Sequence, residues 1–260
     1  MKALTIQSTA GVLIVCFMAL TLSGCMPIQP PATTTTEQPA SGITSASSAQ
    51  IQPTFDIVNV DVVRVGDQLI FTQKVAGIAG SSIITPSGKL AGAAVESYVW
   101  PTSLNSSSVG FADDQGILAL AVTSHPDFDD TPLVDENQDG KNDNDGGLWH
   151  THWVVLTKDD ACGKDGLKVK DIGEGETPAL PATWPNLPIL IDSPDFALAL
   201  ENDTVTVHVP EAKVHNATVF HYDGVTAGLK VNADLHAPLL CVSAVFDIAS
   251  GDLSLPGEVK

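Results

Sequence analysis

FDIVNVDVVRVGDQLIFTQKV, residues 55–75, is dominated by period-2 alternation of apolar and polar side chains on both sides of Gly66-Asp67. Successive side chains of a strand point to opposite faces, so the pattern predicts two half-buried strands, 55–65 and 68–75. A two-residue connection containing Gly marks their junction as a tight hairpin. The pattern recurs at 96–100, 117–123, 149–157 and 167–172, and again at 188–191, 196–201, 204–209, 217–222, 228–232 and 239–248. Turn-forming residues separate these runs, among them Pro86-Ser87-Gly88, Asn202-Asp203 and Asp223-Gly224. Helical periodicity is scarce and no internal repeat is visible. Many short strands at this spacing predict an all-β fold, an antiparallel β-sandwich of jelly-roll type, in a single domain over residues 53–260. A domain of that size supports one core.

Upstream, residues 1–24 have the build of an export signal. Lys2 gives a short positive start, and residues 10–22 (AGVLIVCFMALTL) are apolar but too short to span a membrane permanently. Leu22-Ser23-Gly24-Cys25 matches the bacterial lipobox. That resemblance implies cleavage before Cys25, a diacylglycerol on its thiol and acylation of the new amino terminus. Several acyl chains anchor firmly where one does not. The expected location is the bacterial cell envelope, lipid-anchored. Met26 in place of Asp favours the outer membrane or cell surface. Residues 25–52, rich in Pro, Thr, Ser, Ala and Gln, lack a periodic apolar face and read as the lipidated start and a flexible linker.

Charge and cysteines agree with export. With 12 basic and 31 acidic residues the net charge is −19, and no basic stripe exists, which excludes nucleic acid as a partner class. Cys16 falls in the signal and Cys25 takes lipid. Cys162 and Cys241 remain as an even pair in an oxidising compartment, so a disulfide is expected.

The chemistry concentrates in 127–153, DFDDTPLVDENQDGKNDNDGGLWHTHW. Asp135, Asn137 and Asp139 occupy positions 1, 3 and 5 of a calcium loop, Gly140 position 6, the Lys141 carbonyl position 7 and Asp143 position 9. A hard cation wants oxygen ligands at alternate positions, with Gly allowing the sharp turn between them. Gly146 stands at position 12 instead of the bidentate Glu, and no helical pattern flanks the loop. It resembles the bare DxNxDG calcium loops of extracellular β-proteins, with Asp145 or one of Asp127, Asp129 and Asp130 completing the shell. Calcium is the expected ion.

Directly after the loop, His150 and His152 fall at i and i+2 of a strand and share one face, where two imidazoles can hold one transition metal. Trp149 and Trp153 take the opposite face. A third ligand is open among His125, His208, His215, His221 and His236. Copper is the expected metal, so the leading function is metal binding on a calcium-stabilised β-sandwich. Two other readings stand beside it. Trp100, Trp184 and Tyr98 could make a stacking platform for carbohydrate, and a structural or adhesive surface protein would need no small ligand. GxSxG, HExxH, the Walker loop and GxGxxG are all missing, so no enzymatic activity is assigned. The sequence names no protein partner.

Two family resemblances bear on these expectations. FDIVNVDVVRVGDQLIFTQKVAG, residues 55–77, resembles the first hairpin of the DOMON and family-9 carbohydrate-binding sandwiches, extracellular folds that bind haem or sugars. The calcium loop with His150, His152 and Trp149 is similar to copper-binding surface proteins of methane-oxidising bacteria. Those combine a calcium-bearing sandwich with two His and an oxidised Trp two residues before one of them. Trp149 departs from that spacing, preceding His150 directly and His152 by three.

Overall fold

The computed structural model describes residues 42–82, 91–125, 139–141, 147–232 and 237–259. The folded unit they belong to is Ala40–Lys260. Among the described residues regular structure is all-β, with no α-helix and only short 3-10 turns. The strands are β1 (Ile43–Thr44), β2 (Ile57–Val65), β3 (Gln68–Val75), β4 (Ala94–Pro101), β5 (Ile117–Ser124), β6 (His150–Lys158) and β7 (Leu167–Val169). After them come β8 (Ile191–Asp192), β9 (Ala197–Glu201), β10 (Thr204–Pro210), β11 (His221–Tyr222), β12 (Val225–Val231), β13 (Leu240–Ile248) and β14 (Gly257–Glu258).

The hairpin of residues 55–75 forms as its alternation dictates. β2 and β3 pair antiparallel from Ile57↔Val75 to Val65↔Gln68. Gly66 turns at φ 65°, the left-handed value that a II′-type connection requires at its first central residue. This hairpin is the middle of a five-stranded antiparallel sheet ordered β1-β2-β3-β10-β9.

The other large sheet runs β5-β4-β12-β13-β7-β6-β8, and β5 also pairs with β6 from Ile117↔Leu156 to Thr123↔His150. That last ladder closes six strands into a barrel. The all-β, antiparallel expectation therefore holds, and barrel closure is added to it. Closure was beyond the sequence because periodicity locates strands without naming their partners.

Two apolar layers follow from the alternation. Outward-facing Tyr98, Trp100, Leu118, Leu120, Trp153 and Val155 of the barrel are buried with Val60, Val62, Leu69, Phe71, Val205 and Val207 of the five-stranded sheet. Phe71 sits edge-on to both Trp100 (ring centroids 6.0 Å apart) and Trp153 (6.1 Å), the geometry the aromatic quadrupole favours. Inward-facing Val95, Val99, Ala121, Val154, Val225, Ala227 and Leu229 form a separate cluster inside the barrel.

The fold begins earlier than Pro53. Ile43 is buried and pairs with Val60, and buried Asp56 accepts hydrogen bonds from the Ser48 amide (3.0 Å) and the Ser47 hydroxyl. A buried carboxylate needs such donors, so residues 42–52 belong to the domain and not to the linker. Cys162 and Cys241 are joined, as expected, with their Cα atoms 5.4 Å apart. The bond lies where the barrel is weakest: β13 meets β7 through a single register pair, Cys241↔Lys168.

Candidate metal centre

β6 begins with His150 and His152 on its inward face and carries Trp153 outward. The neighbouring strand supplies the third imidazole. β5 places Ala121 opposite His152 and Thr123 opposite His150. His125 lies two residues beyond Thr123 on the same parity, and its Nε2 is 3.1 Å from His150 Nε2. The His125 and His150 ring centroids are 4.8 Å apart, and those of His150 and His152 are 4.7 Å apart. One ligand atom from each of the three lies within 4.8 Å of the others, and all three residues are buried. Of the five histidines open as a third ligand, the structure brings in His125. His208, His215 and His221 are exposed elsewhere, and His236 lies outside the described residues.

Backbone carbonyls fix which nitrogens face inward. His150 Nδ1 is 3.0 Å from the Leu148 carbonyl, and His152 Nδ1 is 3.2 Å from the Asp192 carbonyl and 3.2 Å from Ser193 Oγ. A carbonyl only accepts, so each Nδ1 carries the proton and each Nε2 the lone pair. This is the arrangement that orients metal-binding histidines. Thr123 Oγ1 is 3.3 Å from His150 Nε2. The Asp192 carboxyl accepts from Thr183 Oγ1 at 2.6 Å. Burial pushes that carboxyl up to about 6, against the lowering effect of the Thr183 and Ser193 hydrogen bonds.

Ligand nitrogens 2.0–2.1 Å from a tetrahedral ion stand about 3.3 Å apart, close to the 3.1 Å between His125 and His150. A set of three imidazole ligands suits copper or zinc. His125, His152 and Thr123 also stand in the wall of a cavity of about 330 Å³ inside the barrel.

The other expected site residues fall as follows. Trp149 packs on Tyr98 (5.1 Å) and donates from Nε1 to the Gly80 carbonyl, on the face away from the imidazoles. Tyr98 and Trp100 are fully buried and present no ring to a sugar, while Trp184 is half-buried with Nε1 3.3 Å from the Ile189 carbonyl. In the acidic loop Asp139 Oδ1 accepts from the Lys141 amide at 2.9 Å, and Gly140 adopts φ 88°. Asp135, Asn137, Asp143 and Asp145 lie outside the described residues, as does Cys25. No family model, curated protein or solved structure matches the chain, so its chemistry rests on these residues themselves.

Proposed function

We propose that the protein is a lipid-anchored component of the bacterial cell envelope that binds one transition-metal ion, copper, through His125, His150 and His152. The observation that carries this reading is the cluster of three buried imidazoles with ligand atoms within 4.8 Å of one another. Copper leads because imidazole suits it and because it outranks zinc in the Irving–Williams order. The role is binding, with no reaction assigned. The burial of Tyr98 and Trp100 gives the carbohydrate reading no platform there.

Titration of the protein, purified without a histidine tag, tests the reading. About one copper per chain is expected at pH 7.5, with much weaker binding at pH 5.5. Protonation of imidazole near its ordinary value of about 6.5 removes the lone pair. Absence of stoichiometric copper uptake at pH 7.5 would rule the site out.

In the same reading, the two packed sheets act as a jelly-roll-like sandwich scaffold stiffened by calcium at Asp135, Asn137, Asp139, Lys141, Asp143 and Asp145. The left-handed turn at Gly140 and the Asp139–Lys141 hydrogen bond support it, since such a loop must turn sharply at its sixth position. Changing Asp135 and Asp139 together to Asn should erase the difference between melting in calcium and in EDTA. An ion that binds only the folded state adds about 2.7 kcal/mol at a hundredfold excess over Kd. A wild-type protein that melts identically in both buffers has no such site.

The membrane is reached through acyl groups on Cys25. Cys25→Ser should therefore abolish palmitate labelling and either release the protein or leave the precursor uncleaved. Wild-type protein that takes up no label refutes the anchor.

A further inference from the structure

The barrel is hollow because of side-chain size. Its inward positions carry Val95, Ser97, Val99, Ala121, Val154 and Ala227, while the large rings of the same strands, Tyr98, Trp100 and Trp153, are buried against the five-stranded sheet. Side chains of ordinary bulk fill even an eight-stranded barrel. Here six strands leave about 330 Å³, within the span of roughly 300–1,000 Å³ typical of small-molecule sites. An apolar cavity of only about 150 Å³ stays dry and takes up benzene.

The wall sets the class of ligand. Among the described residues it is aliphatic except for Ser97, Thr102, Thr123, His125 and His152. Ser97 donates to the Ala227 carbonyl at 2.9 Å and Thr102 to the Leu118 carbonyl at 2.8 Å, so both protons serve the barrel backbone. Valine, leucine and isoleucine surfaces reward the burial of methylene groups, and moving a charge against them is costly. At about 30 Å³ per methylene-sized group, the share of one water in the liquid, the space admits a chain on the order of ten carbons.

One segment is bent to reach this cavity. Between β13 and β14, Leu253 and Leu255 line it, and they adopt φ 59° and 53°. Left-handed backbone is uncommon for bulky side chains, and a following proline, here Pro256, pushes its predecessor toward extended backbone. The segment is tied at both ends. Ser250 donates to the buried Asp223 carboxylate, the Leu253 amide donates to Ser250 Oγ at 3.1 Å, and Gly257 pairs with Tyr222. Strain of this kind persists where the surroundings fix it, and it clusters at ligand clamps. Leu253 is still 39% exposed, which leaves apolar surface for a ligand to bury.

We propose that the barrel interior binds an uncharged aliphatic molecule, with Leu253 and Leu255 as the cover on its chain. The site stands on the cavity and on that segment, and needs no metal at the histidines. The test is calorimetric titration of the full chain with butanol, hexanol, octanol and decanol, with and without one equivalent of copper. Affinity should rise about fourfold per methylene until the cavity is full, in both metal states. Without added copper, octanoate should bind at least about tenfold more weakly than octanol. Leu253→Gly suits the left-handed backbone and removes only the cover. It should keep the melting temperature of the ligand-free protein while octanol binds about tenfold more weakly, a loss of about half a leucine's burial. Val99→Phe, which fills the interior, should abolish octanol binding. Should that variant fail to fold, the length series and Leu253→Gly decide alone. No binding, affinity independent of chain length, octanoate as tight as octanol, uptake only with copper, or wild-type octanol affinity in Leu253→Gly would each overturn the proposal. A protein that binds these alcohols but takes up no copper keeps this site and loses the metal reading, so the two failures are distinguishable.

Discussion

Replacing His125, His150 or His152 with alanine should each weaken copper binding at least about 100-fold. Loss of an outer partner to a ligating histidine already costs 10- to 100-fold in comparable sites, and here a ligand itself is removed. The three rings are held by different elements: His125 just beyond β5, His150 through the Leu148 carbonyl, and His152 through Asp192 and Ser193. Each loss therefore leaves the other two rings placed but one ligand short. His208 and His221 are exposed and remote in register, so His208→Ala and His221→Ala serve as controls with wild-type affinity. Thermal melts of the metal-free variants separate a lost ligand from a lost fold. If all three single variants bind copper as tightly as wild type, the cluster is not the site. His125→Ala is the most informative, because nothing near it in sequence marks it as a partner of the HTH pair.

The second large effect is on stability. Replacing Cys162 and Cys241 together with serine should destabilise the protein by about 4.5 kcal/mol, the loop-closure value for a bridge of this span in the chain-entropy model. The sequence separation is 79. A domain of this size would lose on the order of 10 °C in melting temperature. The location sharpens the expectation. β13 touches β7 through one register pair alone, so backbone hydrogen bonds do little to hold that seam. Mass spectrometry of the unreduced protein should recover the linked peptides. A double variant that melts within a degree or two of wild type would show that the seam needs no covalent closure.

How far the residues spoke for themselves varied with the range of the interaction. The hairpin at 55–75 was legible because turn and alternation are both local, and β3, β5, β10 and β13 likewise fall within a residue or two of their expected bounds. The facing of His150 with His152 was legible for the same reason. His125 was not singled out, although it has the parity of Ala121 and Thr123, because its partnership depends on β5–β6 pairing across a long intervening segment. β1 was missed since a two-residue strand in a Ser- and Ala-rich stretch has no period to detect. Tyr98 and Trp100 were candidates for a binding platform because an aromatic at a strand end looks alike whether it faces water or a second sheet.

β6 has one further consequence. It presents imidazoles to the barrel interior and indoles to the packing between the sheets, residue by residue in alternation. Inserting or deleting one residue between Trp149 and Trp153 would exchange the two sets, sending an indole into the cavity and an imidazole into the apolar layer. Fold and site are thus written in the same reading frame. A change of phase within this stretch would therefore disturb packing and site together.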